Sequence, residues 1–226
     1  MIMTKLQKAI LKTLAYADVF EYPLTLTEIH RFLISETKNV RRNTQEEIRK
    51  ELNKNPYLVS HISYHDDFYF LKGREKIVVL REKREKWSQS KLKIAQKVTQ
   101  WLKLIPFIKM VAVTGNLAMK NADENADIDL LVVASKNRLW LARLLTVLIV
   151  ELVANRRHPQ DKEVKDKICL NMFLDENHLQ IPPNEQDLYS THEVCQLKPL
   201  WQKDNFYQKF LEVNQWIKKF LPNWKN

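Results

Sequence analysis

The sequence predicts an α+β protein in which N-terminal helices and a hairpin precede a small mixed β-sheet and a helical C-terminal extension. Three observations predict this class. Capped helical segments occupy the first part of the 226-residue chain, strand patterns occupy the middle, and helical periodicity returns toward the end. A chain of this length buries one sizeable core or two small ones, so we expect separate structured domains.

Three short helices are predicted at the N-terminus. Apolar side chains recur at helical spacing at Leu6, Ile10, Leu11 and Leu14. Thr25 and Glu28 have the spacing of a capping box, in which each side chain binds the other residue's backbone N–H. Thr44 and Glu47 repeat this spacing, which predicts the start of the third helix.

A hairpin is predicted after the third helix. Segments 58–64 and 68–71 are rich in aromatic and β-branched residues and flank a polar turn. Three helices followed by two strands is the order of a winged helix, so we predict a winged-helix-like domain over residues 1–73. Its third helix holds Arg49 and Lys50 together with three glutamates. Nucleic-acid contact by this helix and a role as a small interaction or substrate-positioning module are therefore both open.

Residues 74–105 are predicted to form a connector helix. The segment is strongly charged, and its interrupted apolar face includes Trp87, Leu92 and Val98. Pro106 ends the helical pattern because proline cannot continue a helix.

The rest of the chain predicts a sheet domain, residues 106–180, and a helical extension, residues 181–226. A helix of about 18 residues is predicted from Asn137. In the extension, helices are predicted over 187–196 and 205–221. Three apolar segments are predicted to be buried strands: 108–114, 126–133 and 168–174.

The net charge and the distribution of apolar residues indicate which classes of binding partner to expect. A net charge of +10 favours nucleic acid, nucleotides or an anionic membrane surface. The most apolar stretch, 139–154, is short for a bilayer span and contains Arg143 and Glu151, so it predicts a buried helix and no membrane association. Without a signal-peptide pattern, we expect a cytoplasmic location. Cys169 and Cys195 lie far apart and are expected to be buried core residues.

Two carboxylates are the candidate ligands for a metal ion. Asp127 and Asp129 alternate along a predicted strand and therefore project from the same face. Two like charges this close are costly unless a cation lies between them, and hard oxygen ligands suit Mg²⁺ or Mn²⁺. Gly115, one of only two glycines, precedes Asp127 by twelve positions at the end of another strand. A glycine turn lets backbone N–H groups approach phosphate oxygens, and Asn116 adds a short polar side chain there.

The segment Val113-Thr-Gly-Asn116, ten further residues and then Asp127-Ile-Asp-Leu130 resembles the active-site signature of the DNA polymerase β-like nucleotidyltransferase superfamily. The resemblance implies a nucleotidyltransferase core between about Pro106 and Leu174. It also implies transfer of a nucleoside monophosphate from a nucleoside triphosphate to an acceptor hydroxyl, with release of pyrophosphate. The acceptor could be an RNA 3′ end, a protein side chain or a small molecule, and RNA or DNA could be a partner.

The resemblance also implies roles for individual residues. Asp127 and Asp129 would bind Mg²⁺ or Mn²⁺, while Thr114, Gly115 and Asn116 would hold the phosphates. Superfamily members carry a third carboxylate on a later strand, where this sequence has Asn171. Asparagine offers an oxygen to a metal but cannot accept a proton from a hydroxyl. Either Asn171 completes the metal shell, or the base is another acid; the candidates are Asp123, Glu124, Asp175 and Glu176.

Basic residues near the strands could hold the triphosphate. Lys136 and Arg138 directly follow the strand of the two aspartates. A second basic cluster comprises Arg156, Arg157, Lys162, Lys165 and Lys167. Tyr189 or Trp201 could stack on a base or pack in a core.

The absent third acid leaves a non-catalytic alternative, a nucleotide-sensing or nucleic-acid-binding regulator built on a degenerate transferase core. The intact aspartate pair favours the enzyme, because a sensor need not keep both metal ligands.

Overall fold

The computed structural model describes residues 3–35 and 44–225, which form two compact units. The first unit comprises Met1–Lys83 together with Trp216–Asn226, and the second comprises Arg84–Gln215. Both contain helices and a small sheet, so the predicted α+β class is confirmed.

Within its described residues, the first unit contains four complete α-helices, the beginning of the helix Lys76–Leu102, and a three-stranded antiparallel sheet. In this sheet Phe68–Leu71 lies between Leu24–Thr25 and Ile62–His65. The two predicted capping boxes are confirmed: Thr25 Oγ1 accepts the Glu28 N–H at 3.2 Å, and Thr44 Oγ1 accepts the Glu47 N–H at 3.2 Å. The elements are α1 Lys5–Val19, β1 Leu24–Thr25, α2 Leu26–Arg31, α3 Gln45–Lys54, α4 Pro56–His61, β2 Ile62–His65 and β3 Phe68–Leu71.

The strand predicted over 58–64 is wrong in its first half, where α4 forms instead. Asn55 caps this helix, since its Oδ1 accepts the backbone N–H groups of Tyr57 at 3.0 Å and Leu58 at 3.1 Å. Pro56 stands at the first helical position, where its missing N–H costs nothing. This local start signal overrides the β-branched composition of the segment.

A single helix, α5 Lys76–Leu102, confirms the helical prediction for this charged segment. Its residues up to Lys83 belong to the first unit, and those from Arg84 belong to the second.

The second unit is built on a four-stranded mixed sheet in the order β6-β5-β4-β7. Strand β4 is antiparallel to both β5 and β7, whereas β5 and β6 are parallel. The remaining elements of the unit are β4 Ile108–Val113, α6 Gly115–Ala118, β5 Ile128–Ala134, α7 Leu139–Val153, β6 Ile168–Asp175, α8 Leu188–Gln196, β7 Lys198–Gln202 and α9 Phe206–Val213. The central strands are nearly completely buried and form the core with one face of α5.

Two parts of the predicted helical extension are wrong. Strand β7 forms where only helices were expected, and it pairs with β4 while Leu200 and Trp201 pack against the core. Because β7 is an edge strand, it tolerates Pro199, which weakened the strand signal. The helix predicted over 205–221 is divided at Asn214 into α9 and a 3₁₀ helix, Gln215–Lys219. The buried Asn214 side chain accepts the Ile181 N–H and donates to the Leu179 and Phe210 carbonyls at this break.

Helix α7 forms where a buried helix was predicted, but it buries only one face. Ala142, Thr146 and Val150 face the core. Trp140, Leu144, Leu148 and Leu152 are exposed. Among the described residues, no helix combines the length and the apolar character needed to cross a membrane.

Candidate metal and nucleotide site

Three ligand-type side chains converge at the sheet of the second unit. One atom each from Asp127, Asp129 and Cys169 lie within 4.8 Å of one another, and all three residues are half-buried. Asp127 directly precedes β5, and Asp129 lies within it. Cys169 joins them because parallel pairing of β5 and β6 places it in register with Asp129. A cysteine expected in the core is therefore a member of the candidate site.

Thr114 extends the same row on the other side of Asp129. Its backbone N–H donates to the Asp129 carbonyl at 3.3 Å, one step beyond the Val113–Leu130 pair. Residues directly opposite in a sheet project from the same face, so Thr114, Asp129 and Cys169 form one row across three strands. Thr114 is 7% exposed, and its hydroxyl has no hydrogen-bond partner within the described ranges. This unsatisfied hydroxyl points to a ligand at the row.

Gly115 follows Thr114 in a left-handed conformation, with φ +58°. A Cβ added there would lie 3.8 Å from Asp129 Oδ2, so the turn runs directly beside the carboxylate. The predicted convergence of Gly115, Asp127 and Asp129 is thus visible in the geometry. Asn116 is exposed in α6, next to the glycine.

One member of the second basic cluster reaches the carboxylates. Arg157 Nη1 donates to Asp127 Oδ2 at 2.5 Å, and this bond raises the pKa of the guanidinium. Two other members bind acids elsewhere: Lys165 pairs with Glu124 at 2.7 Å, and Lys167 pairs with Asp161 at 2.9 Å. Arg157 alone among these three therefore faces the candidate site.

Helix α8 contributes two side chains that the sequence motif did not indicate. Burial raises the pKa of the Glu193 carboxyl, the nearby Gly115 N–H opposes this rise, and the negative charge of Asp129 adds to it. Tyr189, one helical turn earlier, is exposed. The negative charge of Glu193, followed by partial burial and the charge of Asp129, raises the pKa of its hydroxyl. Trp201, the other aromatic candidate, packs against the core instead. No local pattern could have identified Glu193, because α8 follows Gly115 by more than seventy residues.

Burial and like charge set the protonation of the site. Burial raises the pKa of the Asp129 carboxyl above its ordinary value, and the charge of Asp127 raises it further. Burial, followed by the charge of Asp129, raises the pKa of the Cys169 thiol to about 11. Without a cation the Cys169 thiol is therefore protonated at neutral pH.

Helix α5 anchors the loop that leads into Asp127. Lys91 is 1% exposed, and its ammonium donates to the carbonyls of Glu124 at 2.9 Å and Ala126 at 2.7 Å. Its third bond goes to Asp166 Oδ1 at 2.7 Å. One turn earlier, the buried Ser88 hydroxyl accepts the backbone N–H of Ala122 at 3.1 Å. These bonds fix both loops that flank the carboxylates.

Asn171 does not stand in register with Asp129. Three residues of β5, Asp129 to Leu131, oppose four residues of β6, Cys169 to Met172, and Asn171 lies in this irregularity. It is exposed. The resemblance indicated Asn171 as the residue at the third-carboxylate position, but Cys169 is the residue of β6 that pairs with Asp129, and the strand register shifts before Met172.

Lys136 and Arg138 lie past the opposite end of β5 from the aspartates. Five residues separate Asp129 from Ala134, which corresponds to about 16 Å of strand at 3.3 Å per residue. The structure therefore does not bring these two basic residues to the carboxylates, although they are near in sequence.

The alternative acids also have other roles. Asp175 and Glu176 accept the backbone N–H groups of Asn137 at 3.1 Å and Lys136 at 2.7 Å, at that same far end of β5. Glu124 is paired with Lys165, and Asp123 is exposed in the connecting loop. Neither pair supplies a third carboxylate beside Asp129.

Comparisons of the sequence and the structure with known proteins find only distant similarity. No protein-family model matches the chain, and no curated protein is significantly similar to it. A crystal structure of a toxin–antitoxin with AMP-PNP matches with a TM-score of 0.31 and 17% identity, covering 54% of this chain and 89% of that chain. A mutant of the toxin–antitoxin MntA-HpeT matches with a TM-score of 0.27 and 15% identity, covering 58% and 88%. Neither likeness is close enough to assign an activity.

Proposed function

We propose that the second unit is a metal-dependent nucleotidyltransferase core, which moves a nucleoside monophosphate from a nucleoside triphosphate to an acceptor hydroxyl. The observation that carries this proposal is the convergence of Asp127 and Asp129 with the left-handed Gly115 turn. Carboxylates suited to a divalent cation and a backbone turn suited to phosphate are the two parts that phosphoryl transfer requires.

The side chains fit a divalent cation. Three ligand atoms lie within 4.8 Å of one another, and the buried Thr114 hydroxyl in the same row has no partner within the described part of the chain. When bound, a divalent cation would neutralise charge on the phosphates and polarise the transferred phosphoryl group. Asp127 and Asp129 would hold it.

The chain's own residues would orient the triphosphate. The Thr114 hydroxyl and the Gly115 turn offer donors beside Asp129. We assign the phosphate-binding cation to Arg157 rather than to Lys136 or Arg138, because Arg157 already contacts Asp127.

The first unit is proposed to be a winged-helix-like module that positions the acceptor. Support comes from its element order, α1-β1-α2-α3-α4-β2-β3, and from its antiparallel sheet. A groove of about 500 Å³ lies within this unit, and Arg49, Asn53, Tyr64 and Asp67 are among its lining residues. Its mixed charge fits a polar acceptor better than a bare polyphosphate chain.

The test is transfer of label from each α-labelled nucleoside triphosphate to RNA, DNA or protein in the presence of a divalent cation. Labelled product is expected with the wild type and with Asp66→Asn, a matched control in the hairpin of the other unit. Asp127→Asn and Asp129→Asn are expected to lower the rate by about 100-fold or more, as loss of a metal ligand does. Transfer that persists unchanged in both variants would overturn the site assignment.

The regulator is the second candidate, and one observation favours it. Cys169 stands where a further carboxylate would serve as base, and a thiol with a pKa of about 11 is a poor substitute. Metal-dependent nucleotide binding without labelled product, across all acceptors, would establish this function in place of transfer.

A further inference from the structure

The row of Thr114, Asp129 and Cys169 contains a sulfur atom where an oxygen ligand is the usual choice for Mg²⁺. Magnesium demands oxygen ligands in nearly ideal octahedral geometry, whereas thiolate ligands select zinc and softer cations. Cys169 is in register with Asp129, and its sulfur is within 4.8 Å of a ligand atom of each aspartate. The donor set on this face is therefore two carboxylates and one thiol.

We infer that this site binds Zn²⁺ in preference to Mg²⁺, through Asp127, Asp129 and Cys169. The inference deepens the proposed function, because it names the cation of the same site. Three protein ligands with a fourth open position are the pattern of catalytic zinc centres, in which the open position takes water or substrate.

The distances suit a zinc ion. Ligands at about 2.0–2.3 Å from tetrahedral zinc lie roughly 3.3–3.6 Å apart. The observed atoms, all within 4.8 Å of one another, need to approach by no more than about 1.5 Å. Arg157 holds one oxygen of Asp127 and leaves the other oxygen of that carboxylate for a cation.

An independent observation also points to a ligand here. The Thr114 hydroxyl is buried, lies in the same row beside Asp129, and has no hydrogen-bond partner in the ranges that the structure describes. A water or phosphate oxygen in the open position of the cation would give this hydroxyl the partner that it lacks.

The test is equilibrium metal binding by the full chain after removal of metal with a chelator. Zn²⁺ is titrated against a chromophoric chelator in a large excess of Mg²⁺, and Cd²⁺ serves as a spectroscopic probe of thiolate coordination. The wild type is expected to bind one Zn²⁺ and to show a thiolate-to-cadmium charge-transfer band. Cys169→Ala is expected to lose the band and to bind Zn²⁺ at least about tenfold more weakly.

Two further variants sharpen the result. Cys195→Ala removes the other cysteine, on α8, and is expected to keep both the band and the zinc affinity. Cys169→Asp is expected to raise Mg²⁺ affinity and to lower the preference for Zn²⁺, because it supplies a third oxygen ligand. If Cys169→Ala does not fold, Cys195→Ala decides alone, since Cys169 is then the only thiol in the chain.

Absence of the cadmium band in Cys195→Ala, or equal affinity of the wild type for Mg²⁺ and Zn²⁺, would overturn the inference. These outcomes are separate from the proposed function. Nucleotidyl transfer supported by Mg²⁺ without zinc preference would refute the inference alone, and zinc binding without transfer would refute the function alone.

Discussion

Lys91 provides the sharpest test of how the site is held in place. Its ammonium is buried in α5 and makes three hydrogen bonds, to the carbonyls of Glu124 and Ala126 and to the Asp166 carboxylate. Lys91→Met keeps most of the side-chain length and apolar stem but removes all three bonds. The two loops beside the carboxylates would then lose their shared anchor.

The expected loss of stability follows from burial. Removing one partner of a buried charge pair costs about 3–5 kcal/mol when the remaining charge stays dry. Asp166 is 41% exposed, so water can solvate its carboxylate, and the Ala126 carbonyl keeps its bond from the Asp166 N–H. We therefore expect a loss of about 2–3 kcal/mol, dominated by the unsatisfied carbonyl of Glu124 and the lost charge-assisted bond.

The assay is denaturant-induced unfolding at neutral pH, followed by circular dichroism. Lys97→Met is the matched control, because Lys97 is an exposed lysine on the same helix. It is expected to lie within about 0.5 kcal/mol of the wild type. If Lys91→Met is as stable as Lys97→Met, the ammonium contributes nothing net, and the anchoring role is refuted.

Three further predictions concern the site itself. Asp129→Asn is expected to raise the free energy of unfolding at pH 7 in metal-free buffer, because the raised pKa of Asp129 makes its ionisation unfavourable in the folded state. This gain in stability should vanish as the pH falls below the ordinary aspartate pKa, where the wild-type carboxyl is neutral too. A gain independent of pH would contradict this prediction. Glu193→Gln is expected to tighten nucleotide binding by about three- to tenfold, because it removes a negative charge beside the Gly115 N–H. Calorimetry measures the affinity, and weaker binding by the variant would show that Glu193 supports the turn instead. Gly115→Ala is expected to cost about 1–2 kcal/mol in denaturant unfolding, through its φ of +58° rather than through a clash; an unchanged stability would mean that the turn relaxes freely.

Local signals made much of the fold predictable. The β4 and β5 segments each contain a run of at least four consecutive apolar residues, and the capping boxes at Thr25 and Thr44 involve residues three positions apart. Strand β7 was not predictable in this way, because its pairing with β4 joins segments far apart in sequence and it includes Pro199.

The site residues, too, were predictable where they are close in sequence and not where tertiary contacts bring them together. Gly115, Asp127 and Asp129 share one short segment, and the resemblance of that segment to a known active-site signature indicated their convergence. Cys169 and Glu193 reach them only through the parallel register of β6 and the contact of α8 with the glycine turn. Sequence proximity to Asp127 favoured Lys136 over Arg157. However, Lys136 lies beyond the far end of the extended strand β5, whereas Arg157, thirty positions after Asp127, contacts its carboxylate.

The row of Thr114, Asp129 and Cys169 draws each side chain from a different part of the sheet. Thr114 directly follows β4, Asp129 lies in β5 and Cys169 lies in β6, while the backbone hydrogen bonds that align them do not depend on the side chains. Hydroxyl, carboxylate and thiol can thus be exchanged one at a time, so that this sheet offers three independently adjustable positions for tuning which cation and which substrate the protein accepts.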